Sequence, residues 1–182
     1  MWNRKSNERG NSSLVWYILL APLMVVLMGY GIDTSIDTYT KNTLQQSLDQ
    51  ATQAAVSMAA NPGYDDNTGS DVSVITPKAE AAVLDTFLTV YDANRTGQLS
   101  NLICQTQRSS AVSEGNLYIP SKSGCGYTIV KLNITGSGTN TRAKYLEVEV
   151  AETSKNSFLH MIGIPTQDYV LSSRAAITAA ND

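Results

Sequence analysis

The strongest pattern in the chain is an uncharged apolar run over residues 14–32. At about 1.5 Å per residue, a helix of this length spans about 28 Å, close to the roughly 30 Å hydrocarbon core of a bilayer. Trp16 and Tyr17 lie near one end of the run and Tyr30 near the other, as aromatic residues do at membrane interfaces. The run predicts a transmembrane helix, with anchor positions that include Leu14, Pro22, Leu27 and Ile32.

Two other interpretations of this run are a cleaved signal peptide and a buried core helix. The run is longer than the apolar region of most signal peptides, and no A-x-A cleavage pattern follows it. A helix that is apolar on every face would be unusual inside a chain of 182 residues. The pattern therefore favours an uncleaved membrane anchor.

Charged residues flank the run asymmetrically. Arg4, Lys5 and Arg9 precede it, whereas Asp33 and Asp37 follow it directly. Because basic segments stay on the cytoplasmic side, the N-terminus is expected inside and the remainder outside. The predicted organisation is a basic cytoplasmic leader, a transmembrane helix, a helical extension and an extracytoplasmic domain, over residues 1–13, 14–32, 33–60 and 61–182.

The helical pattern continues beyond the run, over residues 33–60, without an interrupting Gly or Pro. Its apolar positions recur about four residues apart and form a narrow, alanine-rich packing stripe that includes Leu44, Leu48, Ala51 and Ala55. This stripe could pack on its own domain, on other copies of the chain or on helices of partner proteins. The pattern leaves these compatible interpretations open.

The rest of the chain predicts one more helix and then a series of strands. Residues 61–76 are rich in turn-forming residues, and Pro77 begins a helical pattern with Thr76 as its cap. From about residue 98 the period changes to two, and the strand candidates are residues 99–104, 116–119, 127–135, 145–150 and 169–179. This order predicts an α+β fold with a small antiparallel sheet.

The alternation also predicts which strand residues face the core. Leu146, Val148 and Val150 are expected to point inward. In residues 127–135, Ile129 and Lys131 are expected on one face and Leu132 on the other.

Composition argues against catalysis and against nucleic-acid binding. The net charge is −3 and the chain contains one histidine, so a basic stripe and His-based catalysis are both disfavoured. Asp33 and Asp37 resemble part of a metal motif, but their position predicts a solvated turn next to the membrane. We expect no catalytic residues, no metal site and no cofactor.

The two cysteines, Cys104 and Cys125, enclose a polar segment. In an exported domain they are expected to form a disulfide worth about 3 kcal/mol. Two buried free thiols are the alternative, which a cytosolic location would require.

The leader carries a further signal. It ends in Gly10-Asn11 just before the anchor, an arrangement that resembles type IV prepilins, in which a peptidase cuts after the glycine. Those pilins carry a glutamate five residues after the cut, and Val15 occupies that position here. Processing between Gly10 and Asn11 is the corresponding hypothesis.

Residues 9–60 together resemble the N-terminal segment of TadG-like and TadE-like proteins of the bacterial Tad (Flp) pilus assembly system. The resemblance is carried by RGN at residues 9–11, APL at 21–23, GID at 31–33 and TLQQSLDQA at 43–51. A weaker likeness at the C-terminus rests on the LEVEV strand and the final alanine-containing strand.

The resemblance implies a pilin-like architecture and a single-pass protein of the bacterial inner membrane. Its expected role is a pilin-like or accessory subunit in pilus assembly, without catalysis. Its expected partners are the lipid bilayer, other membrane proteins of the pilus or secretion machinery, and copies of itself. The alternative is an envelope-anchored module that binds a ligand or a surface.

Overall fold

A computed structural model describes residues 6–59, 77–105, 116–122, 124–136, 144–155, 158, 161, 163 and 168–177. Helix α1 is Ser6–Ala59 and helix α2 is Pro77–Arg95, which continues into a 3₁₀ helix at Thr96–Asn101. Strands β1 (Leu117–Ile119), β2 (Tyr127–Gly136), β3 (Lys144–Thr153) and β4 (Asp168–Ile177) pair antiparallel in the order β1-β2-β3-β4. The prediction of a long N-terminal apolar helix with a small antiparallel sheet is confirmed.

Helix α1 is continuous over its 54 residues, or about 80 Å. Pro22 lies inside it, where a missing backbone N–H is tolerated when the helix lies in lipid. Beyond the apolar run, hydroxyl side chains donate to the carbonyl four residues earlier, as Thr34 does to Tyr30 at 2.8 Å and Thr52 to Leu48 at 2.7 Å. These bonds satisfy polar side chains without any partner outside the helix.

The C-terminal half of α1 is the central helix of the folded domain. It packs against α2 and β4, and the side chains of Leu44, Leu48, Ala51 and Ala55 are fully buried in the core. Alanine occupies little volume, so the neighbouring elements can approach the helix closely at these positions. Phe87 and Tyr91 of α2 are stacked in the same core, with ring centroids 5.8 Å apart.

The sheet has a β-bulge that the alternation pattern does not reveal. Ile129 pairs with Val150 and Lys131 with Glu149, so the register shifts between Ile129 and Lys131. Ile129 is therefore buried, whereas Lys131 is exposed. The prediction that these two side chains share a face is wrong, because an extra residue in one strand reverses the faces beyond it.

The expected strand at residues 99–104 is also wrong. Helix α2 passes into the 3₁₀ helix through residue 101, and then Leu102 forms an isolated bridge with Ser154. Ile103 donates its N–H to the carbonyl of Thr153 at 2.9 Å. The segment crosses the end of β3 with too few bonds to form a ladder, although Leu102 is buried as a strand residue would be.

Candidate functional site

The N-terminal half of α1 carries an apolar surface that the protein does not cover. Every residue from 14 to 28 is exposed, and the anchor residues Leu14, Leu27 and Ile32 have 58%, 56% and 60% of their surface accessible. Within Leu14–Met58 lies a stretch with mean hydropathy 2.0, of which 6% is buried. By length and composition this helix could cross a membrane, which agrees with a single-pass anchor.

Gly10 and Asn11 lie near the start of α1, on the N-terminal side of this apolar surface. The peptide bond between them belongs to helical backbone. Val15, which occupies the position of the pilin glutamate, is exposed on the same surface as the anchor residues.

The folded domain reaches this surface at Gly29, next to which the ring of Phe158 lies. A Cβ atom at residue 29 would overlap that ring, so glycine is required for the contact. One turn further along α1, the carboxylate of Asp33 accepts a hydrogen bond from the backbone N–H of Phe158 at 2.8 Å. We call these three residues the collar.

The collar corrects the expected role of Asp33. Its side chain was predicted to lie in a solvated turn, but it is 6% exposed and lies within helix α1. A carboxylate next to an apolar span is costly to bury unless it accepts hydrogen bonds. The N–H of Phe158 supplies such a bond, so Asp33 ties the domain to the helix.

A cavity of about 290 Å³ lies beside the collar, between α1, the 3₁₀ helix and the end of β3. Its polar lining includes Asp33, Asp37, Asn101 and Lys155. Among the described residues, Asp37 Oδ1 is buried without a hydrogen-bond partner. Burial, and then the charge of Asp37, raise the pKa of Tyr169. The cavity could accept a small polar group, but no set of three metal-ligating side chains occurs in the described part of the chain.

A buried ion pair joins α2 to β3. Arg95 and Glu152 are both fully buried, and Arg95 donates from Nε to Oε1 and from Nη2 to Oε2, the latter at 2.9 Å. Arg95 also donates to the carbonyls of Cys125 and Gly126, and the Tyr91 hydroxyl donates to Glu152 at 3.2 Å. This arrangement satisfies both charges and links the helix to β3 and to the residues just before β2.

Burial is the largest single influence on each pKa in this network. It raises the pKa of Glu152, against the opposing effect of Arg95 and Tyr91. It also raises the pKa of Tyr91, which the charge of Glu152 raises further. Burial lowers the pKa of Arg95, but the hydrogen bond and charge of Glu152 outweigh it and raise the pKa. The guanidinium therefore stays charged, and the network has a structural role.

Cys104 and Cys125 are joined in a disulfide with Cα atoms 4.5 Å apart. The bond lies next to the buried ion pair, since Cys125 Sγ is 3.9 Å from Arg95 Nη2. The disulfide and the ion pair therefore hold the same edge of the domain.

Sequence reasoning missed Arg95 and Glu152. The alternation that places Leu146, Val148 and Val150 inward also places Glu152 inward, and a carboxylate on a core face needs a buried partner. That signal was present in the sequence. Arg95 gave none, because a basic residue at the end of a helix is usually exposed.

His160, the one histidine of the chain, lies outside the described residues. The packing stripe faces the domain's own core. Its side chains, Leu44, Leu48, Ala51 and Ala55, are therefore already covered within one copy of the chain.

Comparisons with protein-family models, curated proteins and solved structures give no match for this chain.

Proposed function

We propose that the protein is a single-pass, membrane-anchored subunit of Tad/Flp-type pilus assembly, with a pilin-like or accessory structural role and no catalytic step. The observation that carries this proposal is the division of helix α1. Its first half exposes apolar side chains on all sides, and its second half is the core helix of a small α+β domain. A helix divided in this way suits a subunit that is held in lipid and makes lateral contacts.

The proposed location is the bacterial inner membrane, with the N-terminus in the cytoplasm and the domain outside. Arg4, Lys5 and Arg9 on the N-terminal side of the span support this orientation. The disulfide supports an exported domain, because disulfides persist in oxidising compartments.

The proposed partners are the bilayer, other membrane proteins of the pilus machinery and further copies of this chain. Since the packing stripe is covered within one copy, lateral contacts would use the exposed apolar surface of residues 14–28. Protein partners would meet that surface within the membrane, where close packing rather than the hydrophobic effect drives association.

The proposal is tested by deleting the protein in its host and counting pili by electron microscopy. The deletion should abolish or sharply reduce pili, and Leu27→Phe should restore them, because Phe keeps the anchor apolar. Leu27→Arg should fail to restore them. Normal pili in the deletion strain would contradict a role in pilus assembly. Loss of surface attachment with intact pili would favour the alternative, an envelope-anchored module that binds a ligand or a surface.

The processing hypothesis has its own measurement. Mass spectrometry of the native protein would find a chain that begins at Asn11 if a peptidase cuts after Gly10. A chain that retains the leader would show a permanent anchor, and the subunit would then act as an accessory protein rather than as a processed pilin.

A further inference from the structure

The stretch of α1 in which every residue is exposed, residues 14–28, ends at the buried Gly29 and is too short by itself to cross a bilayer. Residues 14–28 span about 22 Å, whereas the hydrocarbon core is about 30 Å thick. The residues that precede this surface are the polar Asn11, Ser12 and Ser13. If α1 is the membrane anchor proposed above, the missing length comes from the other end, and about 20 residues counted from Leu14 reach Asp33.

The folded domain already contacts α1 at the end of this span. The Phe158 ring lies against Gly29, and the Phe158 N–H is bound to Asp33, so the collar falls within the last turn of the required span. Met161, three residues after Phe158, has 74% of its surface exposed. The surrounding sequence, FLHMIGI at residues 158–164, carries no Asp, Glu, Lys or Arg.

Neighbouring side chains on α1 have the character of a membrane interface. Ile32 and Ile36 are exposed, and Tyr39 is 64% exposed one turn further out. An exposed tyrosine about 10 Å beyond Ile32 suits the headgroup region, where its ring can be buried and its hydroxyl hydrated. Ile32, Ile36 and Tyr39, spaced four and three residues apart, thus extend an exposed apolar stripe past the collar, beside exposed hydroxyl residues such as Thr34 and Ser35.

We propose that Phe158 and Met161 contact the outer leaflet of the bilayer, so that the domain is seated directly on the lipid surface at a height fixed by the collar. The occupant of this apolar patch is lipid, because the patch is continuous with the surface that the span exposes. Asp33 lies beneath the Phe158 backbone and is thereby shielded from the acyl chains. The domain does not stand away from the membrane on a free helical stalk.

The test measures depth in the bilayer by fluorescence quenching. Full-length protein is reconstituted in phosphatidylcholine vesicles that contain lipids with a nitroxide at a shallow acyl position. A thiol-reactive fluorophore is attached at Met161→Cys, at Leu27→Cys or at Ala176→Cys. Cys104 and Cys125 are bonded to each other and do not react, and unsubstituted protein controls for background labelling.

The three sites separate this inference from the anchor itself. Leu27 is in the span, and Ala176 is an exposed residue near the end of β4 that is opposite the collar. We expect quenching at Met161→Cys comparable with that at Leu27→Cys, and little at Ala176→Cys. Because the Met161 side chain is exposed, the label should not disturb folding.

Quenching at Leu27→Cys without quenching at Met161→Cys would overturn the lipid seat and leave the anchor intact. Absence of quenching at both sites would overturn the anchor and the seat together. A Met161 label that is shielded from water but not quenched by lipid would show a protein neighbour, such as a second copy, and would also overturn the proposal.

Discussion

Arg95 is a fully buried side chain that hydrogen-bonds to several parts of the domain interior. A buried guanidinium carries five N–H donors and a fixed charge, and it is stable in a core only when acceptors surround it. Here the two Glu152 oxygens and the carbonyls of Cys125 and Gly126 accept from it, and its guanidinium carbon lies 5.0 Å from the Tyr127 ring centroid. One residue at the end of a helix thereby holds β2 and β3 in place.

Replacing Arg95 should therefore destabilise the domain strongly. We expect Arg95→Met to lower the free energy of unfolding by about 3–5 kcal/mol, because it leaves a buried carboxylate without a counter-charge. Arg95→Lys should recover little, since an ammonium cannot reproduce the bidentate geometry. The measurement is denaturant unfolding of the intact chain in detergent.

The matched control is the exposed pair of Lys131 and Glu147, whose nitrogen and oxygen lie 2.9 Å apart. Lys131→Met should change stability little, because water screens this pair. Equal effects of Arg95→Met and Lys131→Met would show that the buried pair does not stabilise the domain.

The buried tyrosines make different contacts, and their hydroxyls should respond differently to removal. In the described structure Tyr169 is 7% exposed and its hydroxyl has no hydrogen-bond partner, whereas the Tyr91 hydroxyl donates to Glu152. Tyr169→Phe should leave stability unchanged or raise it by up to about 1 kcal/mol, and Tyr91→Phe should lower it by about 1–2 kcal/mol. Thermal unfolding near neutral pH measures both, and the reverse order would contradict these contacts.

The same tyrosines predict a loss of stability in alkali. Burial raises the pKa of Tyr91, Tyr127 and Tyr169. In the unfolded chain tyrosine titrates near pH 10, so above that pH the unfolded state releases protons that the folded state retains. Stability should be full below about pH 10 and should fall as the pH rises above it.

Tyrosinate absorbance combined with denaturation at increasing pH would measure this loss. Tyr169→Phe should make the decline shallower, because one of the protonated groups is removed. A decline of the same slope in Tyr169→Phe would show that Tyr169 titrates normally in the folded protein.

At the scale of elements, the helices were more predictable than the strand details. Long uninterrupted patterns fixed α1 and α2, because helix propensity and periodicity accumulate over many residues. The bulge after Ile129 could not be found from one strand, since it is defined by the pairing with β3. The 3₁₀ helix at Thr96–Asn101 likewise depends on how α2 ends against β3.

The disulfide and the ion pair should be energetically coupled, because both hold the start of β2. Replacing Cys104 and Cys125 together by Ser should lower stability by about 3 kcal/mol. In the Arg95→Met background the further loss should be smaller by at least about 0.5 kcal/mol, because the Cys125 carbonyl has already lost its donor.

The cycle is measured by denaturation of the single, double and combined variants. In the Lys131→Met background the cysteine replacements should have their full effect, since Lys131 does not contact this edge. Additive losses in both backgrounds would show that the two features act independently.

At the scale of the molecule, the two halves of one helix differ. A helix long and apolar enough to cross a membrane could be predicted from residues 14–32, because length and composition define it without any tertiary contact. The collar could not, because the hydrogen bond from Phe158 to Asp33 joins residues 125 positions apart. For the same reason the packing stripe could be predicted as an apolar face, but the elements that cover it could not.

Because the two halves of α1 have different surroundings, anchoring and folding should fail separately. Leu27→Arg places a charge in the span at a cost of about 2.5–3.5 kcal/mol on insertion scales, and should release or misinsert the chain. Ala51→Phe changes the other half of the helix, where it overpacks the core. Overpacking typically lowers the free energy of unfolding by about 1–3 kcal/mol, so this variant should loosen the domain.

Membrane fractionation with carbonate washing and protease digestion of the exposed domain measure the two properties independently. Leu27→Arg should leave the membrane yet keep a protease-resistant domain, whereas Ala51→Phe should stay in the membrane and become sensitive to protease. Leu27→Phe and Gln53→Phe are the controls, because each adds a phenyl ring at an exposed position of the same helix. If Leu27→Arg also unfolded the domain, the lipid would be needed for folding, and the collar rather than the core would determine the stability of the domain.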